Sequence, residues 1–135
     1  MIVADANLLA YMLIPGPLTP KAERVRAKDN VWVVTPLLRY EFLNVLLKYV
    51  RVQQIGVDAA ARSYHRGMDM VEISVIERDA VEVLRLAVGS GCWTYDAEYV
   101  WLARELDVPL ITEDQKVLRA FPDIAVSLDQ MITST

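Results

Sequence analysis

Short apolar runs alternate with helical patterns along the whole chain, and this alternation restricts the fold more than any other feature. Ile2-Val3-Ala4, Val31-Trp32-Val33-Val34, Met70 to Val75, Val108-Pro109-Leu110-Ile111 and Ile124-Ala125-Val126 read as strands. They are short and several are rich in β-branched residues. Between them lie helical segments at Ala6 to Ile14, Thr19 to Asp29 and Val57 to Arg66, and again at Glu77 to Val88 and Asp96 to Leu106. Thr35-Pro36 is a good N-cap and N1 pair for a helix running to about Gln53. Thr112 and Gln115 have the spacing of a capping box opening a short helix. Strands alternating with helices form a parallel sheet covered on both faces. Continuously apolar strands such as Val31–Val34 suit burial from both sides. The expectation is one α/β domain over residues 1–135, with three α/β/α layers around a parallel sheet of about five strands.

Composition narrows the function. With 135 residues the chain is long enough to bury a core. At 54% hydrophobic and 24% charged it reads as folded. No apolar run approaches the roughly 20 residues that span a bilayer. Met1 to Asp5 has no basic region of the kind that opens a signal peptide, so the expected setting is the cytoplasm. The one cysteine, Cys92, excludes an intramolecular disulfide and a cysteine zinc cluster, and is expected to be a small, semi-buried residue. A net charge of −4 counts against a plain nucleic-acid binder, unless the acids gather around cations that invert the local sign.

Four acids invite that reading: Asp5, Glu41, Asp96 and Asp114. In open α/β sheets, ligands bind beyond the carboxyl ends of the strands. Asp5 and Asp114 fall on that edge, Glu41 lies in the helix after the second strand, and Asp96 starts a helix. Each acid alone has an ordinary role available. Asp5 and Asp96 could cap helices, Asp114 could favour a helix dipole, and Glu41 could pair with Arg39. Together, carboxylates without a cationic cluster suit Mg²⁺ or Mn²⁺, which prefer oxygen ligands. Such cations serve phosphodiester hydrolysis by activating water and neutralising the leaving oxygen. The single histidine, His65, sits in a helix and leaves no Ser/His/Asp triad. Neither a G-x-x-x-x-G-K-[ST] loop nor a G-x-G-x-x-G turn is present.

Four segments together resemble the PIN-domain ribonucleases, and within them the VapC-type toxins of toxin–antitoxin modules. They are Val3 to Leu9, Thr35 to Leu46, Thr94 to Ala103, and Pro109 to Asp114 with Leu118 and Phe121-Pro122 after it. The resemblance implies a metal site of Asp5, Asp96 and Asp114 completed by Glu41, with Asn7 and Thr112 in support. It also implies an Mg²⁺- or Mn²⁺-dependent endoribonuclease that inhibits translation by cutting tRNA, rRNA or mRNA. Its partners would be RNA, an antitoxin protein and a second copy of the chain. Some relatives carry a further acid after the last Asp, where this chain has Gln115, Lys116 and Val117.

Arg39, Lys48, Arg51 and Lys116 are candidate phosphate contacts beside the crevice. The apolar Tyr11-Met12-Leu13 stretch, with Trp93 and Trp101, supplies candidates for a docking surface. Three rivals remain at this stage. A phosphatase or DNA nuclease could use the same acids, and an inactive PIN module could only bind. A signalling receiver domain would need a Lys after the last strand, and Ser127-Leu128-Asp129 offers none.

Overall fold

A computed structural model of the chain describes residues 1–134. Its strands are β1 (Ile2–Ala4), β2 (Trp32–Val34), β3 (Val71–Ile73), β4 (Leu110–Ile111) and β5 (Ala125–Val126). Its helices are α1 (Ala6–Leu13), α2 (Thr19–Lys28), α3 (Leu38–Arg51), α4 (Val57–Met70), α5 (Ala80–Ser90), α6 (Thr94–Leu106), α7 (Gln115–Ala120) and α8 (Leu128–Thr133). The strands pair in the order β3-β2-β1-β4-β5, and every pairing is parallel.

Parity along the strands builds the three layers. Successive strand side chains point to opposite faces. Ile2, Ala4, Trp32, Val34 and Ile111 therefore join α1, α2, α3, α4 and α8 in one core. Val3, Val33, Leu110 and Ala125 join α6 and α7 in the other. The middle strands are buried on both faces, which explains their unbroken apolar runs. Cys92 is buried in the second core.

Helix boundaries depart from the sequence reading at five places. The helix α3 begins at Leu38, because Pro36 and Leu37 form a turn in which the Thr35 carbonyl accepts from Leu38 N at 3.0 Å. The Thr35 side chain caps nothing there. The helix α4 continues to Met70 and enters β3 without a loop. Asp79, not Glu77, opens α5, accepting from the amides of Val81 and Glu82. Gly89 and Ser90 stay helical, and α5 stops only at Gly91, whose φ of 73° is left-handed. Finally, Asp114 caps α7, so the expected Thr112–Gln115 capping box does not form.

Candidate active site

The sheet order creates the site. The first strand, β1, pairs with β2 on one side and β4 on the other, so chain connections diverge there. A crevice opens at such a switch point, beyond the carboxyl ends of the two strands. The β1–β4 register matches Ala4 with Ile111, which sets the next residues, Asp5 and Thr112, side by side. The Thr112 hydroxyl donates to Asp5 Oδ2 at 2.7 Å and accepts from Asp114 N at 3.1 Å. Asp5 Oδ1 accepts from Leu8 N at 2.9 Å and so caps α1. Asp114 Oδ1 accepts from the amides of Lys116 and Val117.

Glu41 lies in the first turn of α3, and Asp96 in the first turn of α6. Trp93 is the N-cap of α6, and it provides no side-chain cap. Asp96 is therefore not the cap the sequence suggested, and its carboxylate is released toward the pocket. That pocket, of about 90 Å³, is lined by Asp5, Asn7, Glu41, Asp96, Thr112 and Asp114. Tyr99, Val45, Leu110 and Val117 complete its wall. All six residues singled out for the site thus meet in one place.

The electrostatics follow from crowding acids in a part-buried cleft. Burial drives Asp5 up to about 6, opposed by the Thr112 and Leu8 hydrogen bonds and aided by Asp114 and Asp96. Burial also drives Glu41 up to about 7, opposed by a Tyr99 contact and aided by Asp5 and Asp96. Asp96 is raised by burial and by Asp114, against the nearby Lys116 cation. Among the described residues none of the four acids has an ion-pair partner, which removes the Glu41–Arg39 alternative.

The donor set is carboxylate and hydroxyl oxygen with the Asn7 carboxamide, it carries an excess of negative charge, and this chemistry fits a hard divalent cation. Among the described residues no three His, Cys, Asp or Glu side chains close into a ready ligand cage. Uncompensated carboxylates repel one another, so an open arrangement is the physical expectation.

The basic candidates stand outside the pocket. Arg39, Lys48 and Arg51 are exposed along α3, and Arg39, two residues from Glu41, leaves the helix on another side. Lys116 reaches across to the Gly91 carbonyl at 2.7 Å. His65 is exposed on α4, edge-on to Tyr64. Trp93 is exposed, whereas Trp101 is half-buried and lines a neighbouring cavity with Thr35, Arg78 and Glu98. Tyr11, Met12 and Leu13 pack against the core. Sequence reasoning missed Tyr99 as a site residue. Its spacing of three from Asp96 puts both on one helix face and was the available signal.

Known proteins are similar to this chain in sequence and in fold. The chain is 29% identical over 125 residues to "Ribonuclease VapC3" of Pyrobaculum aerophilum, covering 90% of this chain and 95% of that protein. It is 38% identical over 80 residues to "Exonuclease VapC9" of the same organism, covering 58% of this chain and 59% of that protein. In structure it is similar to the P. aerophilum protein PAE2754, with a TM-score of 0.78 at 23% identity over 97% of this chain and 91% of that one. It is also similar to a chain of a toxin–antitoxin complex from Klebsiella pneumoniae, with a TM-score of 0.66 at 18% identity over 95% and 98%. Both likenesses are of fold. The PIN domain profile matches residues 2–124, nearly the full length, so the chain belongs to the PIN domain family.

Proposed function

We propose that this protein is an Mg²⁺- or Mn²⁺-dependent endoribonuclease that acts as the toxin of a toxin–antitoxin pair and inhibits translation by cutting RNA. One observation carries the reading. Four carboxylates from four separate elements line a single pocket at the switch point, and among the described residues none of them forms an ion pair. The names of the two relatives, a ribonuclease and an exonuclease, support nuclease chemistry.

Asp5, Asp96 and Asp114 would hold the cation, and Glu41 would complete the pocket. When bound, the cation supplies water activation and neutralises charge on the leaving oxygen. The protein's own residues do the rest. Thr112 fixes the Asp5 carboxylate through its hydroxyl. Asp114 keeps one oxygen on the α7 amides, which holds the other at a set angle. Glu41, which burial raises to about 7 in the cation-free protein, would take a proton from an attacking water once a bound cation keeps it ionised. Asn7, on the wall of the same pocket, would hold a carboxylate or a substrate oxygen. Arg39, Lys48, Arg51 and Lys116 would give phosphate affinity without base choice.

The partners would be RNA, an antitoxin that covers the acids with a basic side chain, and a second copy of the chain. No described helix is long and apolar enough to cross a membrane, and the setting would be the cytoplasm. The test is cleavage of linear and circular RNA, and of DNA and a phosphomonoester, with Mg²⁺, Mn²⁺ or EDTA. Cation-dependent cuts in both linear and circular RNA, with none in DNA or the phosphomonoester, are expected. Asp5→Asn and Asp96→Asn should each slow them by at least about 100-fold while remaining folded. Cleavage of linear RNA only would make the enzyme an exonuclease. Cuts unaffected by Asp96→Asn would remove that residue from the site.

A further inference from the structure

Among the described residues, three side-chain polar atoms are sealed from solvent without a hydrogen-bond partner: the Thr35 hydroxyl, Glu41 Oε1 and the Tyr99 hydroxyl. Buried polar groups left unpaired are costly and rare, so three at one place require an explanation. They form a row. Glu41 and Tyr99 share the wall of the acidic pocket. The Tyr99 hydroxyl lowers the proton affinity of the Glu41 carboxyl, and the Thr35 hydroxyl that of the Tyr99 phenol. The three are therefore neighbours, although none completes a hydrogen bond. Tyr99 and Thr35 are each only 4% exposed. Tyr99 comes from α6, one turn past Asp96, and Thr35 from the carboxyl end of β2. Because α3 starts late, Thr35 is not used as a helix cap and its hydroxyl remains free for Tyr99.

Glu41 is divided by this row. Its Oε1 is shut in beside Tyr99, whereas Oε2 is not among the sealed atoms and is the oxygen left for the pocket. Burial raises the phenol of Tyr99, so it stays protonated and has a single proton to donate.

We propose that Tyr99 is a positioning residue: it holds Glu41 Oε1 so that Oε2 is presented to the acidic pocket, and Thr35 aligns the phenol for that task. The proposal rests on the reading of the pocket as a cation site. Partners of this kind behind metal ligands typically contribute 10–100-fold in metal affinity.

The test is calorimetric Mn²⁺ binding at alkaline pH for wild type, Tyr99→Phe, Glu41→Gln and the double variant, with melting temperatures alongside. Tyr99→Phe should weaken Mn²⁺ binding about 10-fold with little change in melting temperature. In the Glu41→Gln background the same change should cost nothing further. Thr35→Val should show a smaller loss that Thr35→Ser restores. In metal-free protein, Tyr99→Phe should move the ¹³C signal of the Glu41 carboxylate. Wild-type affinity in Tyr99→Phe, or an equal loss in both backgrounds, overturns the proposal. Wild-type protein that binds no Mn²⁺ overturns the cation reading instead. In that case an unmoved Glu41 signal overturns the role of Tyr99, and a moved one upholds its hold on Glu41.

Discussion

Asp5 serves three ends with one carboxylate. Oδ1 caps α1, Oδ2 takes the Thr112 hydroxyl, and the charge faces the pocket. Its value of about 6 and that of Glu41, about 7, lie above their ordinary 3.8 and 4.5. The folded protein therefore holds these protons more tightly than the unfolded chain does. Their contribution to stability is complete below about pH 4 and is lost as pH rises through 6 and 7. Without divalent cation, the melting temperature should fall across that window. This is opposite to the trend of a salt-bridged carboxylate. Asparagine can still cap α1, so Asp5→Asn should flatten the curve. It should also stabilise the metal-free protein at pH 8 by on the order of 1 kcal/mol. Calorimetry in EDTA checks this; a loss of stability in Asp5→Asn would show that the charged cap outweighs the repulsion. The acids were legible in the sequence. Tyr99 was not, because the Glu41 it faces is 58 positions away.

At the scale of elements, local rules name the residue types that start a helix but not which of two neighbours prevails. Thr112 has the hydroxyl and the spacing to cap α7. The β1–β4 register turns that hydroxyl to Asp5, and Asp114 takes the cap. Packing likewise overrides propensity at Gly67 within α4. A Cβ there would stand 2.6 Å from Phe42 Cε2 and 3.2 Å from Leu13 Cδ1. Phe42 is fully buried and has no room to retreat. Alanine gains up to about 1 kcal/mol of helix propensity, whereas overpacking a core costs about 1–3 kcal/mol. Gly67→Ala should therefore destabilise the fold by about 1 kcal/mol, read as a lower urea midpoint. A higher midpoint would mean that α4 shifts freely away from α3.

At the scale of the molecule, α5 is packed on one side only. Val83 is buried with Leu86 beneath it, but Val81, Leu84 and Val88 are 55%, 57% and 84% exposed. They form one apolar stripe at helical spacing, flanked by the Glu82–Arg85 pair. A two-fold antiparallel pairing of α5 with its copy would bury the stripe and exchange these charges, which makes it a candidate for the proposed dimer contact. The protein should sediment as a dimer, and Leu84→Glu should make it a monomer in sedimentation velocity. A dimer that survives the change would place the contact elsewhere.

What the sequence determined alone was the kind of fold and the identity of the acids. Hydrophobic period is a local property, so alternating strands and helices imply a parallel three-layer sheet before any contact is known. The places of Asp5, Glu41, Asp96 and Asp114 near element ends, with the resemblance to PIN-domain ribonucleases, marked them as candidates. Tertiary structure decided how they meet. Strand order is non-local, and only the β2-β1-β4 neighbourhood brings residues 5 and 112 into register. It also released Asp96 from capping and joined Thr35, Tyr99 and Glu41. A hydroxyl or carboxylate takes the partner that three-dimensional packing supplies, and that partner is written nowhere near it in the chain.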